Sequence, residues 1–144
     1  MLRDGKAYST LFWAAFLGFV VVPILALAID AGRYFYARQE IGKAADAAAL
    51  AAAAQIDWAV YRDTSDLQPT GETVMLAQAY VNANTDYLSS RGIQAAISGL
   101  AMDAANDTVR VAVSADVSAL FPSVMPQVVL TEWGEAQVRP RTRP

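Results

Sequence analysis

A chain of 144 residues that is 55% hydrophobic is too apolar for an ordinary soluble domain and too short for several membrane spans plus a domain. One span and one small domain is the economical reading. A net charge of -3, with no Lys/Arg run before the last few residues, argues against a phosphate-binding surface and so against nucleic acid as a partner. The absence of cysteine and histidine removes disulfides, thiolate nucleophiles, imidazole bases and the commonest transition-metal ligands together.

Residues 1–6 form a short leader or tail carrying Arg3 and Lys6. From Ala7 to Ile29 there are 23 consecutive residues without a charge. As a helix that run extends about 34 Å at 1.5 Å per residue, enough to cross a hydrocarbon core of about 30 Å. A transmembrane helix over 7–29 is expected. A cleaved secretory signal has a shorter apolar region, about 7 to 15 residues, followed by a small-residue cleavage site. Here the helical pattern continues past Asp30 instead. Pro23 removes one backbone hydrogen bond from the span and clashes with the carbonyl around Phe19, so a kink is expected there. Ala14 with Gly18, and Ala28 with Gly32, place small residues four apart, a spacing that permits close helix approach.

No proline or turn cluster intervenes between Asp30 and Val60, and alanine dominates the stretch, so one helix is expected from about Ala7 to about Val60. Residues 30–60 thus form an alanine-rich helical extension. Ile41, Ala45, Ala48, Ala52, Ile56 and Ala59 share one face of it, with Gln39, Lys43, Asp46 and Asp57 opposite. Such a stripe allows close backbone approach, either to another subunit or to the chain's own sheet.

Turn-forming residues from Asp63 to Gly71 end the long helix, and residues 61–144 read as a small α/β domain. Glu72 to about Leu88 has helical spacing. After Gly92 the period falls to 2: Val109, Val111, Val113, Ala115 and Val117 alternate with Arg110, Ala112, Ser114, Asp116 and Ser118. Ile93 to Met102 is the preceding strand of an antiparallel hairpin, with turn chemistry at Asn106 and Asp107. Val128 to Val138 is a third strand with a bulge at Gly134. The expected class is α+β: a long N-terminal helix, a second helix and a three-stranded antiparallel sheet that needs helical cover. The tail from Arg139 to Pro144 is extended and basic.

No phosphate loop, nucleophile elbow, metal-ligand cluster or dinucleotide fingerprint is present. Asp30 and Asp46 lie about 24 Å apart along a helix, too far to share a proton or a substrate. No catalytic residue, cofactor, metal or small-molecule substrate is expected. Asp30, Arg33 and Arg38 appear where the apolar run ends, which suits either a bilayer exit with Tyr34, Phe35 and Tyr36 as an aromatic belt or an intersubunit ion pair. Asn106-Asp107-Thr108 matches a glycosylation acceptor pattern, but in a hairpin loop turn chemistry is the better explanation. The balance of basic residues on either side of the span does not decide its orientation.

The run Ile29-Asp30-Ala31-Gly32-Arg33-Tyr34-Phe35-Tyr36-Ala37-Arg38, with Ala44-Ala45-Asp46-Ala47-Ala48-Ala49-Leu50-Ala51 after it, resembles the N-terminal signature of TadE/TadG-like proteins of the Tad (Flp) branch of type IV pilus machinery. The resemblance covers about residues 5 to 54. It singles out Asp30, Gly32, Arg33, Arg38 and Asp46 as the motif at the membrane exit. It implies an anchor with its N-terminus in the cytoplasm and its domain outside the cytoplasmic membrane. The implied role is that of a minor or major pilin that packs against identical or related subunits through the N-terminal helix, with an extracellular filament as its destination after assembly; the small-residue spacing offers Ala14, Gly18, Ala45, Ala48 and Ala52 for helix packing. Pilins of this kind are cut after a glycine that precedes the span and carry a glutamate five residues beyond it. Gly5 matches the glycine, and Thr10 stands in place of the glutamate. The alternative is an anchored accessory subunit of a larger membrane complex.

Overall fold

The computed structural model describes residues 4–123 and 125–138. The first half of the short leader, Met1 to Arg3, and the basic tail from Arg139 onward lie outside the described residues. Helix α1 (Asp4–Phe16) passes through a π-helical segment (Leu17–Val21) into α2 (Val22–Ala54), making one continuous rod. The π segment lies immediately upstream of Pro23, and the Val22 N–H donates to the carbonyl of Leu17, five residues back. Widening that turn accommodates a proline that has no N–H to give and whose ring crowds the carbonyl four residues earlier.

The rod ends at Ala54, six residues short of the expected Val60. Two competing sets of hydrogen bonds stop it. The Gln55 carbonyl accepts from Thr73 Oγ1 at 2.7 Å and from the Thr70 N–H at 3.3 Å, and Ile56 pairs with Pro69 in an isolated bridge. Asp57 then opens a new helix, α3 (Trp58–Thr64), its Oδ1 accepting from the Ala59 and Val60 N–H groups at 2.9 and 3.1 Å. An aspartate is a stronger N-cap than a helix-interior residue, because its carboxylate satisfies donors that otherwise have no partner. Helix α3 closes at Ser65, in the left-handed region with φ 58°.

The second helix expected over 72–88 is two: α4 (Thr73–Asn84) and α5 (Asp86–Ser89). Buried Thr85 separates them and turns its hydroxyl back to the Val81 carbonyl at 2.9 Å, the local bonding by which threonine competes with the helix ladder. Gly92, with φ 78°, lets the chain reverse so that the Ile93 N–H reaches the Leu88 carbonyl at 3.0 Å.

Strands β1 (Ala95–Asp103), β2 (Thr108–Val117) and β3 (Val128–Gln137) form an antiparallel meander in the order β1-β2-β3. The β1–β2 turn is held by Asp103, whose Oδ1 accepts from the Ala105 and Asn106 N–H groups, and Asp107 takes the positive φ of 52°. The register shift lies in β1, between Ile97 and Gly99. Strand β3 pairs with β2 without interruption, so the bulge expected at Gly134 is absent. Gly134 answers a different need. A Cβ there would run into the Ala45 carbonyl and the Asp46 backbone nitrogen, so the missing side chain is what lets α2 lie directly on β3.

Helix α2 packs on β2 and β3 on one side and against α4 on another, and α4 covers β1. The core is built from Ile41, Val81, Leu88, Val109, Val111 and Val113 together with a run of alanines from Ala37 to Ala53. Ala44, Ala45, Ala48, Ala49 and Ala52 are completely buried. The alanine stripe therefore faces this chain's own sheet and helix. Each methyl removes little surface, about 0.8 kcal/mol for a methylene-sized group, but small side chains bring backbones close along the whole seam. Of the residues expected on the stripe, Ile56 is buried beyond the helix end, while Ala59 belongs to α3 and is exposed.

Candidate functional site: the exposed helix and its junction with the domain

From Tyr8 to Leu25 almost every side chain of the rod is uncovered, including Leu11, Phe12, Trp13, Leu17 and Ile24; Phe19 is 85% exposed. It is the only helix among the described residues that is long and apolar enough to cross a membrane. Exposure of so large a contiguous apolar surface marks a site that meets lipid or protein. Ala14, Gly18, Ala28 and Gly32 are all exposed, and a Cβ built on Gly18 or Gly32 meets nothing within 4 Å. Among the described residues nothing requires glycine at either position. Gly5 is helical within α1, and Thr10 is exposed on the same rod.

Cover begins at Ala26 and is complete at Asp30, which is 2% exposed although it ends the uncharged run. The Leu120 N–H donates to Asp30 Oδ1 at 2.8 Å, and the Phe121 N–H donates to Oδ2 at 3.0 Å. Arg33 stands one turn on, its Nη1 3.9 Å from Oδ1. A buried carboxylate is tolerated only when its lone pairs are filled, and here two backbone donors fill them. Asp30 thus clamps the β2–β3 connection to the helix where the rod leaves its apolar part, which is a contact within the subunit. Arg38 is also paired internally, its Nε 2.5 Å from Glu132 Oε1 on β3. That pair is largely exposed and contributes about 0–1 kcal/mol, so it aligns the strand more than it stabilises it.

The aromatic residues after Asp30 divide. Tyr34 packs against the core with its hydroxyl buried and no hydrogen-bond partner among the described residues, and burial pushes its phenol pKa upward. Phe35 and Tyr36 are exposed. Tyr36 meets Tyr87 edge to face at 5.6 Å between centroids, and the Arg91 guanidinium stacks 4.2 Å from the Tyr87 ring.

The motif residues thus separate. Asp30 and Arg33 meet at the junction, Arg38 meets β3, Gly32 and Asp46 are open to solvent, and Ala45, Ala48 and Ala52 lie in the core. Leu120 and Phe121, the partners of Asp30, were not singled out by their sequence. The signal they carry is that residues 117–131 contain no charge at all, which is unusual for an exposed connection between strands. Among the described residues no group of three or more Asp/Glu/His/Cys is placed to hold a metal ion.

Residues 8–55 match the family model "Tad", described as "Putative Flp pilus-assembly TadE/G-like". The matched segment ends one residue after α2 does, so it comprises the exposed rod, the Asp30 junction and the buried alanine seam. The resemblance carried by Asp30 and its neighbours holds over this whole segment. No curated protein and no solved structure matches the chain significantly.

Proposed function

We propose that the chain, whose N-terminal segment gives it a Tad pilus-related role, is a pilin-like structural subunit of a Tad/Flp-type pilus and acts through residues 7–29. The N-terminus lies in the cytoplasm. Residues 30–138 form one extracytoplasmic unit, because the alanine-rich extension is the core of the domain rather than a separate stalk. The observation that carries this reading is the contrast along a single rod. Its alanine seam is consumed by the chain's own sheet, while Gly18 in its apolar half and Gly32 just past Asp30 have open space around them. Small residues with no partner inside the subunit are what close helix-to-helix packing between subunits uses. Lipid is the neighbour of this surface before assembly, and identical or related subunits are its neighbours after it.

Thr10 favours a second reading, an anchored accessory subunit of a larger membrane complex. Disulfide cross-linking separates the two, since the chain has no cysteine of its own. Gly18→Cys and Gly32→Cys should each give dimers of identical chains in cells that make the pilus. Cross-links only to unlike chains support the accessory role. Release of the unmodified chain from membranes by alkaline carbonate contradicts both.

A further inference from the structure

We infer that the β2–β3 connection is a second membrane contact: Leu120 and Phe121 enter the boundary between headgroups and acyl chains of the same bilayer that the rod crosses. The inference rests on the reading of residues 7–29 as a span. The two hydrogen bonds to Asp30 set the depth. They hold the backbone of Leu120 and Phe121 against the first residue after Ile29, the last of the uncharged run, so the connection lies level with the end of the span. At that level Leu120 is 56% exposed and Phe121 41% exposed, with Pro122 exposed beside them. The Met125 N–H bonds the Phe121 carbonyl at 3.1 Å, which folds the connection into a turn with those two side chains on its outside.

In water such a tip is unfavourable, since burial of a Leu or Phe side chain is worth about 1.5–3 kcal/mol. Set against a bilayer, it is an interfacial wedge. The groups farther from the span follow the order that a membrane surface selects. Tyr36 lies about 9 Å beyond Asp30 along the helix axis, at headgroup depth, with the Tyr87 ring against it and Arg91 over that ring, and amphipathic rings and a cation suit carbonyl and phosphate groups there. The span then anchors the domain while the wedge fixes its tilt.

Site-directed spin labelling tests this on the full chain in vesicles of phosphatidylethanolamine and phosphatidylglycerol. Labels are placed through Leu120→Cys, Phe121→Cys and, with both apolar side chains left intact, Ala119→Cys. Phe19→Cys reports the span and Ser65→Cys the far end of the domain. The labels at 119, 120 and 121 should collide more with oxygen and less with a water-soluble nickel chelate than the label at 65, with values between those at 65 and 19. Nickel accessibility at 119–121 equal to that at 65, while position 19 stays in lipid, overturns the wedge and leaves the span intact. Dipolar broadening between copies at 120 and 121 that persists on dilution with lipid also overturns it, because the neighbour is then a second chain. If position 19 is itself open to nickel, the spanning reading fails first.

Discussion

Removing the Asp30 carboxylate strands two backbone N–H groups, those of Leu120 and Phe121, which donate to it. Asp30→Ala is therefore expected to destabilise the domain by on the order of 3 kcal/mol, with Asp30→Asn intermediate because one oxygen remains. Amide exchange at Leu120 and Phe121 is the direct readout. Unchanged protection at both would show that the clamp is not needed. Tyr34→Phe should behave oppositely. Its hydroxyl is buried without a partner among the described residues, so deleting it is expected to be neutral or to stabilise by up to about 1 kcal/mol in a thermal melt. The tyrosines also set an alkaline limit. Tyr61 donates to Asp107 Oδ1 at 3.0 Å, and that hydrogen bond, with lesser contributions from burial and from the nearby carboxylate charge, raises its pKa; burial raises that of Tyr34. A group whose pKa is raised on folding contributes its stability below the unfolded value, near 10, and loses it as pH climbs through the folded value. Unfolding midpoints should fall as pH rises past about 10, and less steeply in Tyr61→Phe.

Among the elements, the contact of α2 with β3 is the most sensitive to a single methyl. Gly134→Ala would drive a Cβ into the Ala45 carbonyl, and a helix backbone cannot step aside as a flexible side chain can. A loss of about 2 kcal/mol or more in denaturant unfolding is expected, and a neutral result would place α2 elsewhere on the sheet. The helices and the meander were legible because their periods, 3.6 and 2, are written in Ile41, Ala45 and Ala48 and in Val109, Val111 and Val113. The end of the rod was not, because helix propensity in Ala51 to Ala54 says nothing of the tertiary bonds that capture Gln55, and Asp57 reads equally as a polar-face residue and as a cap. Gly134 was misread for a related reason. A glycine in a strand signals either a bulge or a close neighbour, and only the position of α2 distinguishes them. The alanine stripe was seen on one face only. Alanine gives no contrast between covered and open sides, so the sequence did not distinguish Ala44, Ala49 and Ala53, which are buried as well.

At the scale of the molecule the rod has two halves with different neighbours. Beyond Asp30 one face of the rod is spent inside the domain, packed against the sheet and α4, and before Ala26 the rod is bare. The polarity of the charged motif was legible as a boundary, and its mechanism was not, since the donors to Asp30 come from residues 90 and 91 positions away in sequence. The boundary is where Asp30 fastens the β2–β3 connection to the rod. The pilin-like role requires that subunits meet through the bare half and the open face at Gly32, and not through the alanine seam. Imaging the native assembly at a resolution that separates helices tests this most directly. Residues 8–29 of neighbouring copies should pack against each other at a regular axial rise, with residues 37–53 enclosed by each subunit's own sheet. Neighbouring subunits joined through residues 37–53, or residues 8–29 standing in water, would contradict it.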